Sequence, residues 1–213
     1  MADATGNYFE TRFVPDERRR VIWQHIAAYL APWMPADGAL LDLGAGYADL
    51  VNAAKCSTRV AFDLRPDLAK FTDPGVQAEV GDVTDLSRFA DGSFNAVFAS
   101  NLLEHLDWRQ LERCADEVRR VLQPGGHFVA IQPNFRLDQK RYFDDFTHRT
   151  IFTDESLPDF LASRGMPLAH REARFLPLTM KSRLSFGHRL VPLYLRLPYR
   201  PLAGQMLVVA RRD

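Results

Sequence analysis

The sequence lacks the features that would place the protein in a membrane or outside the cell. No apolar run reaches about 18 residues without a charge, so no transmembrane helix is expected. The opening stretch, MADATGNYFETRF, has neither the basic flank nor the apolar centre of a signal peptide. The two cysteines, Cys56 and Cys114, form no C-x-x-C pair and do not have the spacing of a metal site. We therefore expect a protein of the reducing cytoplasm.

An overall excess of charge is also missing, because 27 Lys and Arg residues balance 27 Asp and Glu residues. The charges are unevenly distributed, however, and residues 164–213 hold ten Lys or Arg but only two acids. The core has no basic patch with interleaved aromatic residues, and no N/D-P-P-Y type motif occurs, so a nucleic-acid partner is not predicted. The basic segment is either a solvated edge of the protein or a surface for an anionic partner.

Apolar runs alternate with helical patterns along most of the chain. Runs rich in Val, Phe and Ala predict strands near 39–43, 59–63, 76–80, 94–100 and 127–132. A helix is predicted over 108–122, and QPGG at 123–126 is expected to stop it. Strands that alternate with helices indicate βαβ units, and therefore an α/β fold with a doubly wound, mainly parallel sheet.

The first predicted helix covers about 15 residues of DERRRVIWQHIAAYLAPWMP. Five of its residues recur at the spacing of one helix face, and these are Val21, Ile22, His25, Ile26 and Tyr29. Further along, a helix is expected near 154–164, and late strands at about 171–178 and 205–211 are expected to pair antiparallel.

We predict a single domain with three parts. These are an N-terminal helical lid (1–35), a cofactor-binding core (36–135) and an acceptor side (136–213) with terminal strands. Pro192, Pro198 and Pro201 exclude one long helix between the last two strands. A short, broken insertion near 181–204 is therefore expected to wall the acceptor pocket.

The stretch LLDLGAGYADL, residues 40–50, places a glycine-rich loop directly after the first predicted strand. Gly44 and Gly46 let a ligand approach the backbone, but Asp49 stands where a third glycine would complete the dinucleotide-binding fingerprint. Asp42 and Asp49 beside these glycines would repel a diphosphate, whereas a cationic ligand would tolerate them.

Acids at the ends of the next two predicted strands suit the parts of a nucleoside. Asp63 ends the second strand and is placed to accept hydrogen bonds from a ribose diol. Asp82, in EVGDVTDL after the third strand, suits an exocyclic amine. A ribose, an adenine and a positively charged sulfonium occur together in S-adenosylmethionine, which we predict as the cofactor.

These motifs, in this order, resemble the class I S-adenosylmethionine-dependent methyltransferases, specifically the small-molecule type with LEH after strand four. The resemblance covers residues 39–134 through LLDLGAG, VAFDL, GDVTDL, FNAVFASNLLEHL and RVLQPGGHFVAIQPN. YFETRFVPDERRRVIW and YFDDFTHRTIFTDESL further resemble a bacterial subgroup associated with polysaccharide and glycosylation pathways. Ala48 departs from the pattern, because the family commonly has glycine in the loop. We expect the alanine to be accommodated by a negative φ.

The resemblance implies a set of cofactor-binding residues. Asp42, Gly44, Ala45, Gly46 and Tyr47 would contact the methionine part. Asp63 and Leu64 would contact the ribose, and Asp82 and Val83 the adenine. Ser100 and Asn101 would line the floor of the pocket. It also implies that the N-terminal helix acts as a lid. Tyr8 and Arg12, in NYFETRF, would then contact the cofactor carboxylate or the acceptor.

A hydroxyl or ammonium acceptor needs a base, and two histidines are candidates. His148 lies in YFDDFTHRTIF with Asp145 close by, and we predict it as the general base. His105, in LEHL, is the second candidate, although with Glu104 beside it a turn-ordering role fits equally well. A metal bound by Asp144, Asp145 and His148 would be able to orient a diol, but nothing in their spacing demands one, so no metal is predicted.

The expected activity is methylation of a hydroxyl on a small molecule or glycan. Methylation of N or C in a small metabolite, and cofactor binding without catalysis, stay open as alternatives. Asp49 and the LEH and PGG elements disfavour an oxidoreductase. The leucines and arginines of RLVPLYLRLPYRPLAG, including Arg196 and Arg200, suit packing on the sheet, a homodimer interface, or contact with a membrane or lipid-linked glycan.

Overall fold

The computed structural model describes residues 17–177 and 190–213, which contain a seven-stranded sheet. Its strands are β1 (Ala39–Leu43), β2 (Thr58–Asp63), β3 (Gln77–Val80), β4 (Phe94–Ser100), β5 (Leu122–Pro133), β6 (Leu168–Pro177) and β7 (Ala203–Arg211). Across the sheet the order is β3-β2-β1-β4-β5-β7-β6. The first five strands pair in parallel, whereas β7 pairs antiparallel with both β5 and β6. The predicted α/β fold with a late antiparallel pair is therefore confirmed.

The helices of the described residues connect and cover the strands. They are α1 (Glu17–Leu30), α2 (Asp49–Ala53), α3 (Trp108–Val121), α4 (Phe135–Asp138), α5 (Ser156–Ser163) and α6 (Val191–Arg196). A short 3-10 turn, Leu103–His105, follows β4 and holds the LEH motif. In residues 17–177 and 190–213, no helix combines the length and apolar character that a bilayer crossing needs.

The order of the strands determines where a ligand would bind. β1 leads to β2 on one side, while β4 lies on the other side of β1, so the order reverses between β1 and β4. Ligands of doubly wound folds bind outside the carboxyl ends of the strands at such a switch point. The loops after β1, β2 and β4 therefore surround the expected site.

Both faces of the central strands β1 and β4 are buried, and successive residues of a strand point to opposite faces. Leu40 of β1 and Phe98 of β4 pack with residues of α1 and α2. Their chain neighbours, Leu41 and Val97, pack on the other face with residues of α3 and α5. Strands covered on both sides are apolar at nearly every position, which explains why continuous apolar runs identified them in the sequence.

The N-terminal helix is confirmed as α1, but only Ile22 and Ile26 of the five residues related by helical spacing are buried. The buried residues are Ile22, Trp23, Ile26, Ala27 and Leu30. The ring of Trp23 packs edge-on against Phe98, with centroids 6.2 Å apart. The predicted positions Val21, His25 and Tyr29 are only partly buried, because this large aromatic contact turns the helix toward Trp23.

Helix α3 ends just before QPGG, as the sequence predicted, but QPGG does not form a loop between helix and strand. α3 ends at Val121, and β5 begins at Leu122, so QPGG belongs to the strand. Leu122 pairs with Phe94, and the register then shifts before His127 pairs with Ala96. Gly125 has a φ of 79° within this irregular start of β5. The glycines therefore allow an irregularity in the strand, whereas the regular part matches the predicted 127–132.

Arg200 is buried, which corrects its interpretation as part of a surface. The side chain is 6% exposed and forms an ion pair with Glu172 of β6. Its guanidinium also donates to the Tyr29 hydroxyl at 3.0 Å and to the Leu195 carbonyl at 2.6 Å. Tyr29 in turn donates to Glu172 at 2.5 Å. These contacts of Tyr29, Glu172 and Arg200, called the Glu172 network below, join α1 to β6.

Candidate active site

The loop after β1 has the backbone shape of a ligand-binding turn. Gly44 and Gly46 have positive φ angles of 65° and 56°, a region that residues with a Cβ rarely adopt. The amides of Gly44 and Ala45 donate to the carbonyl of Phe62 at 2.8 and 3.2 Å, which anchors the loop to β2. A Cβ on Gly44 would lie 3.0 Å from Leu102, so the loop also lies against the segment after β4.

Ala48 contradicts one expectation from the sequence, because its φ is +55° and not negative. The residue is fully buried and immediately precedes α2. Its amide donates to the carbonyl of Ala45 at 2.7 Å, and this tight turn requires a left-handed residue before the helix. The alanine therefore adopts the conformation of the glycine it replaces, at a cost of about 1–2 kcal/mol.

Asp63, the predicted ribose acceptor, supports the glycine loop. It ends β2 and is largely buried. One of its carboxylate oxygens accepts the Gly46 amide at 2.8 Å, and the other accepts the Arg65 amide at 3.0 Å. A carboxylate has about four lone-pair positions, so these two bonds leave capacity for a hydroxyl donor. The contact with a ribose itself stays a prediction.

Asp42 and Asp49, the acids beside the glycines, present less negative charge to a ligand than the sequence indicated. Asp42 is buried, and burial raises its pKa well above the ordinary value, with a hydrogen bond from the Val51 backbone as a partial offset. Burial also raises the pKa of Asp49, although Asp49 forms an ion pair with Arg19 of α1. Repulsion of a diphosphate is therefore a weaker argument than we expected.

Leu64, predicted to contact the ribose, follows β2, and Asp82 and Val83, predicted to contact the adenine, follow β3. Val83 is buried, whereas Asp82 is exposed and accepts the amide and the hydroxyl of Thr84, both at 2.8 Å. Leu64 is exposed next to Asp63. The structure thus brings these residues to the same edge of the sheet, with apolar and acidic groups available to a ligand.

Tyr47 is held by two residues that the sequence did not single out. The guanidinium carbon of Arg65 lies 4.8 Å from the centre of the Tyr47 ring and 4.5 Å from that of Phe71. The Tyr47 and Phe71 rings are perpendicular to each other, with centroids 4.8 Å apart. This stack forms a wall beside the glycine loop.

The end of β4 is fixed by a residue of β7. Asn101 has a φ of 49°, which asparagine tolerates better than most residues, and its side-chain amide donates to Ser100 at 3.2 Å. Gln205 donates to the Asn101 side-chain oxygen at 2.6 Å. Gln205 was missed because its only signal is a polar residue at the start of an apolar strand. Tyr8 and Arg12 lie outside the described residues.

The loop between α4 and α5 is fixed to the LEH turn by backbone hydrogen bonds. The carbonyl of Glu104 accepts the amides of Arg149 and Thr150 at 2.7 and 3.1 Å. This attachment brings His148 against His105, with ring centroids 5.1 Å apart. The two histidines that the sequence offered as alternatives therefore belong to one site.

Asp145 acts on His105 through Thr147. The Thr147 hydroxyl donates to the Asp145 carboxylate at 2.6 Å and lies 2.9 Å from Nδ1 of His105. The hydroxyl has a single proton, and the carboxylate accepts it, so Nδ1 of His105 must donate to the Thr147 oxygen. The neutral His105 ring therefore carries its lone pair on Nε2. The sequence identified Asp145 and His105 but not Thr147, which connects them.

The environment keeps His105 neutral and shapes the position of His148. Burial lowers the pKa of His105, and His148 lowers it further, whereas Asp145 acts in the opposite direction. The ring of His148 also packs on Tyr142, with centroids 4.6 Å apart. Tyr142 is buried, its hydroxyl donates to the Thr150 carbonyl at 2.5 Å, and burial raises its pKa. Tyr142 therefore acts as a fixed wall for His148.

Glu104 is the member of this cluster that the sequence interpretation undervalued. Its side chain is 1% exposed, and among the described residues neither carboxyl oxygen has a hydrogen-bond partner. Burial raises its pKa to about 8, and Asp145 contributes to the increase. Ligand atoms of Glu104, His105 and His148 lie within 4.8 Å of one another. An acid in the apolar stretch NLLEHL was the signal that could have identified it.

Part of the site lies within a segment that has recognisable relatives. Residues 41–130 match the family model described as a methyltransferase domain. This segment begins in β1, ends in β5 and includes the glycine loop, Asp63 and the LEH turn. A search of curated proteins finds no match to the chain.

Solved structures with similar folds include three enzymes. A S-adenosylmethionine-dependent methyltransferase from Thermotoga maritima has a TM-score of 0.69 at 16% identity, covering 98% of this chain and 96% of that chain. One from Archaeoglobus fulgidus has a TM-score of 0.68 at 17% identity, covering 99% and 100%. Geranyl diphosphate C-methyltransferase from Streptomyces coelicolor was solved in complex with Mg²⁺, geranyl diphosphate and S-adenosyl-L-homocysteine. It has a TM-score of 0.63 at 19% identity, covering 88% of this chain and 77% of that chain. At these identities the likeness shows the fold alone.

Proposed function

We propose that the chain, a methyltransferase whose cofactor is S-adenosylmethionine, methylates a hydroxyl of a small molecule or glycan. The observation that carries this proposal is the cluster of Glu104, His105 and His148 beside the glycine loop. Leu102 connects the two parts, because it lies against Gly44 and leads directly into the LEH turn. A group that takes up a proton is thereby close to the loop that we assign to the cofactor.

We assign the cofactor to the crevice at the carboxyl ends of β1, β2 and β4. The support for this is the open backbone at Gly46, the acceptor capacity of Asp63 and the buried apolar side chain of Val83. The proposed binding residues are those of the three loops, namely Asp42, Gly44, Ala45, Gly46, Tyr47, Asp63, Leu64, Asp82, Val83, Ser100 and Asn101. Tyr8, Arg12 and a lid role for the N-terminal region belong to the same proposal.

The chemistry divides between the cofactor and the chain. S-adenosylmethionine supplies a methyl group that its sulfonium has already activated. The chain aligns the hydroxyl and takes up its proton, which general base catalysis accelerates roughly 10²- to 10⁴-fold. His148 is the proposed base, and Nε2 of His105 is the alternative. Asp145, acting through Thr147, stabilises the positive charge that His105 would gain.

The acceptor class is tested by following the methyl carbon. Lysate fractions are incubated with the enzyme and S-adenosylmethionine that carries a ¹³C-labelled methyl group, and the product is examined by NMR. The carbon shift distinguishes methyl groups on oxygen, nitrogen and carbon. A label on nitrogen or carbon overturns the hydroxyl proposal, and binding of the cofactor without any transfer favours a non-catalytic protein.

The base is tested with His148→Ala. We expect turnover to fall roughly 100-fold or more while affinity for S-adenosylhomocysteine is unchanged, because the residue acts on the acceptor. His25→Ala, on α1, is the matched histidine control and should keep activity. Wild-type turnover of His148→Ala across about pH 6 to 9 would make His148 structural and would indicate an acceptor more nucleophilic than an alcohol.

A lipid-linked glycan is the more specific acceptor that we propose, in cytoplasmic polysaccharide biosynthesis. Exposed apolar side chains cluster in and beside α6, at Leu190, Leu193, Leu197, Tyr199 and Leu202. Arg196 is exposed among them and adds a positive charge. Such a surface suits the membrane interface. A homodimer is the other occupant that this apolar surface would accept.

A further inference from the structure

We infer that Glu104, His105 and His148 bind a first-row divalent metal ion such as Mn²⁺, Co²⁺ or Zn²⁺. One carboxylate and two imidazoles form a mixed oxygen and nitrogen ligand set. Imidazoles favour these ions, whereas Mg²⁺ and Ca²⁺ prefer sets built from oxygen alone. Three protein ligands leave positions for exchangeable oxygen ligands, which is the arrangement of catalytic rather than structural metal sites.

The first observation is the state of the Glu104 carboxyl group. The side chain is 1% exposed, and neither of its oxygens has a hydrogen-bond partner among the described residues. A polar group in such surroundings is unfavourable unless a nearby cation or donor compensates it. One of its oxygens lies within 4.8 Å of a nitrogen of each imidazole, so a cation bound between the three groups would provide that compensation.

The second observation is the spacing of the ligand atoms. Ligand atoms that each lie about 2.0–2.2 Å from one tetrahedral ion are about 3.3–3.6 Å apart. The ligand atoms of Glu104, His105 and His148 all lie within 4.8 Å of one another. Side-chain movements that bring the ligand atoms closer by up to about 1.5 Å would therefore complete the set.

The third observation is the orientation of His105. Histidines that bind metals almost always donate their other ring N–H to an oxygen atom. Nδ1 of His105 donates to Thr147, which is itself bonded to Asp145, so the lone pair lies on Nε2. The chain of Asp145, Thr147 and His105 thus prepares the ring as a ligand. This set differs from Asp144, Asp145 and His148, which were considered in the sequence and for which no metal was predicted.

The position of the ion gives it a role in the reaction. Glu104 and His105 follow Leu102, which lies against the cofactor loop at Gly44. An ion here would bind acceptor oxygens and lower the pKa of a bound hydroxyl, whose proton would pass to water because His105 and His148 would be ligands in place of a base; this extension rests on the proposed methyl transfer. Vicinal hydroxyls, as in a sugar or a catechol, would occupy two of its positions.

The experiment measures ion binding without cofactor or acceptor. Chelator-treated protein is titrated with Co²⁺ and followed by visible absorption, and Mn²⁺-loaded protein is examined by pulsed EPR for coupling to imidazole nitrogen. We expect one saturable site and nitrogen coupling in the wild type. Absence of saturable binding of Co²⁺, Mn²⁺ and Zn²⁺ overturns the inference.

Variants identify the ligands. Glu104→Gln and His148→Ala should each weaken Co²⁺ binding at least about tenfold, whereas the controls Glu112→Gln and His25→Ala should bind like the wild type. Unchanged binding in both site variants overturns the inference. Thermal melting of the ion-free proteins checks folding, and should His148→Ala not fold, the near-isosteric Glu104→Gln and the EPR coupling decide. Because no methyl transfer is measured, failure here leaves the methyltransferase proposal untouched.

Discussion

At the scale of single residues, Asp63 both supports the glycine loop and is the proposed hydrogen-bond acceptor for the cofactor ribose. Its carboxylate already accepts the amides of Gly46 and Arg65. Asp63→Ala should therefore weaken S-adenosylhomocysteine binding by about 1.5–3 kcal/mol, because hydrogen bonds to a charged acceptor are lost. Isothermal calorimetry measures the change.

The control for Asp63→Ala is a variant of a nearby acid that accepts no hydrogen bond from the glycine loop. Asp67 pairs with Arg65 beside the same strand end, and Asp67→Ala should bind the cofactor product with little change. Thermal melting of both variants separates loss of the ligand contact from loss of the fold. Equal affinity of Asp63→Ala and wild type would remove Asp63 from the site.

Ala48 tests the strain in the same loop. Ala48→Gly should change the free energy of unfolding by less than about 1 kcal/mol, because relief of left-handed strain offsets a lost methyl group and greater freedom of the unfolded chain. Ala48→Val should lose more than about 2 kcal/mol, because a β-branched residue at positive φ is strained and the site is fully buried. Urea unfolding measures both. A tolerated valine would show that the turn does not need this conformation.

At the scale of elements, the Glu172 network joins α1 to β6 in a largely buried place. Burial alone would raise the pKa of Glu172, but hydrogen bonds from Tyr29, His170 and Arg200 outweigh it and lower the pKa. Glu172→Gln should cost about 3 kcal/mol, because it leaves the buried Arg200 without its ion-pair partner. The exposed pair of Arg136 and Glu155 is the control, and Glu155→Gln should cost less than about 1 kcal/mol.

The contribution of Glu172 to the free energy of unfolding should also depend on pH. A carboxyl group whose folded pKa is lowered binds fewer protons in the folded than in the unfolded protein. The stabilisation by Glu172 is therefore complete above its unfolded pKa, near 4.5, and is lost as the pH falls through the lower folded pKa. The difference in unfolding free energy between wild type and Glu172→Gln should shrink over that range. A constant difference from neutral to acidic pH would contradict the ion-pair explanation.

The elements that the sequence predicted best are those whose apolar pattern leaves no alternative. β1 and β4 have the predicted bounds, because both strands are covered on two faces and their runs end at polar or glycine residues. β5 starts earlier than predicted, because the register shift that lets Gln123–Gly126 join the sheet depends on its partner β4. The orientation of α1 likewise depends on the Trp23–Phe98 contact, which spacing alone does not contain.

The sequence predicted those site residues that stand at strand ends or in recognisable motifs. It did not predict roles that depend on contacts between distant segments of the chain. Asp63, Gly44 and the two histidines stand directly after strands or in recognisable motifs, so their positions followed from chain order. The role of Thr147 and the burial of Glu104 depend on how the loop before α5 packs on the LEH turn. No local pattern encodes that packing.

At the scale of the whole molecule, the apolar surface of α6 is the feature that would decide where the protein acts. Anionic vesicles should bind the protein in a flotation experiment, and salt should weaken binding, because Arg196 lies exposed beside Leu193 and Leu197. Arg196→Glu should reduce flotation, whereas Arg109→Glu, with the same charge change on α3, should not. No flotation at low salt would return these side chains to a homodimer or to ordinary packing.

The position of β7 has a consequence for the way the molecule is made. In the described residues β7 is the last of the seven strands, yet it lies between β5 and β6, and β6 pairs there with no other strand. During synthesis β6 emerges before the partner that it needs, so it must wait with an unpaired edge while the parallel strands can already assemble. We therefore expect the antiparallel end of the sheet to form last, and the unpaired edge of β6 to be open to aggregation until β7 is added.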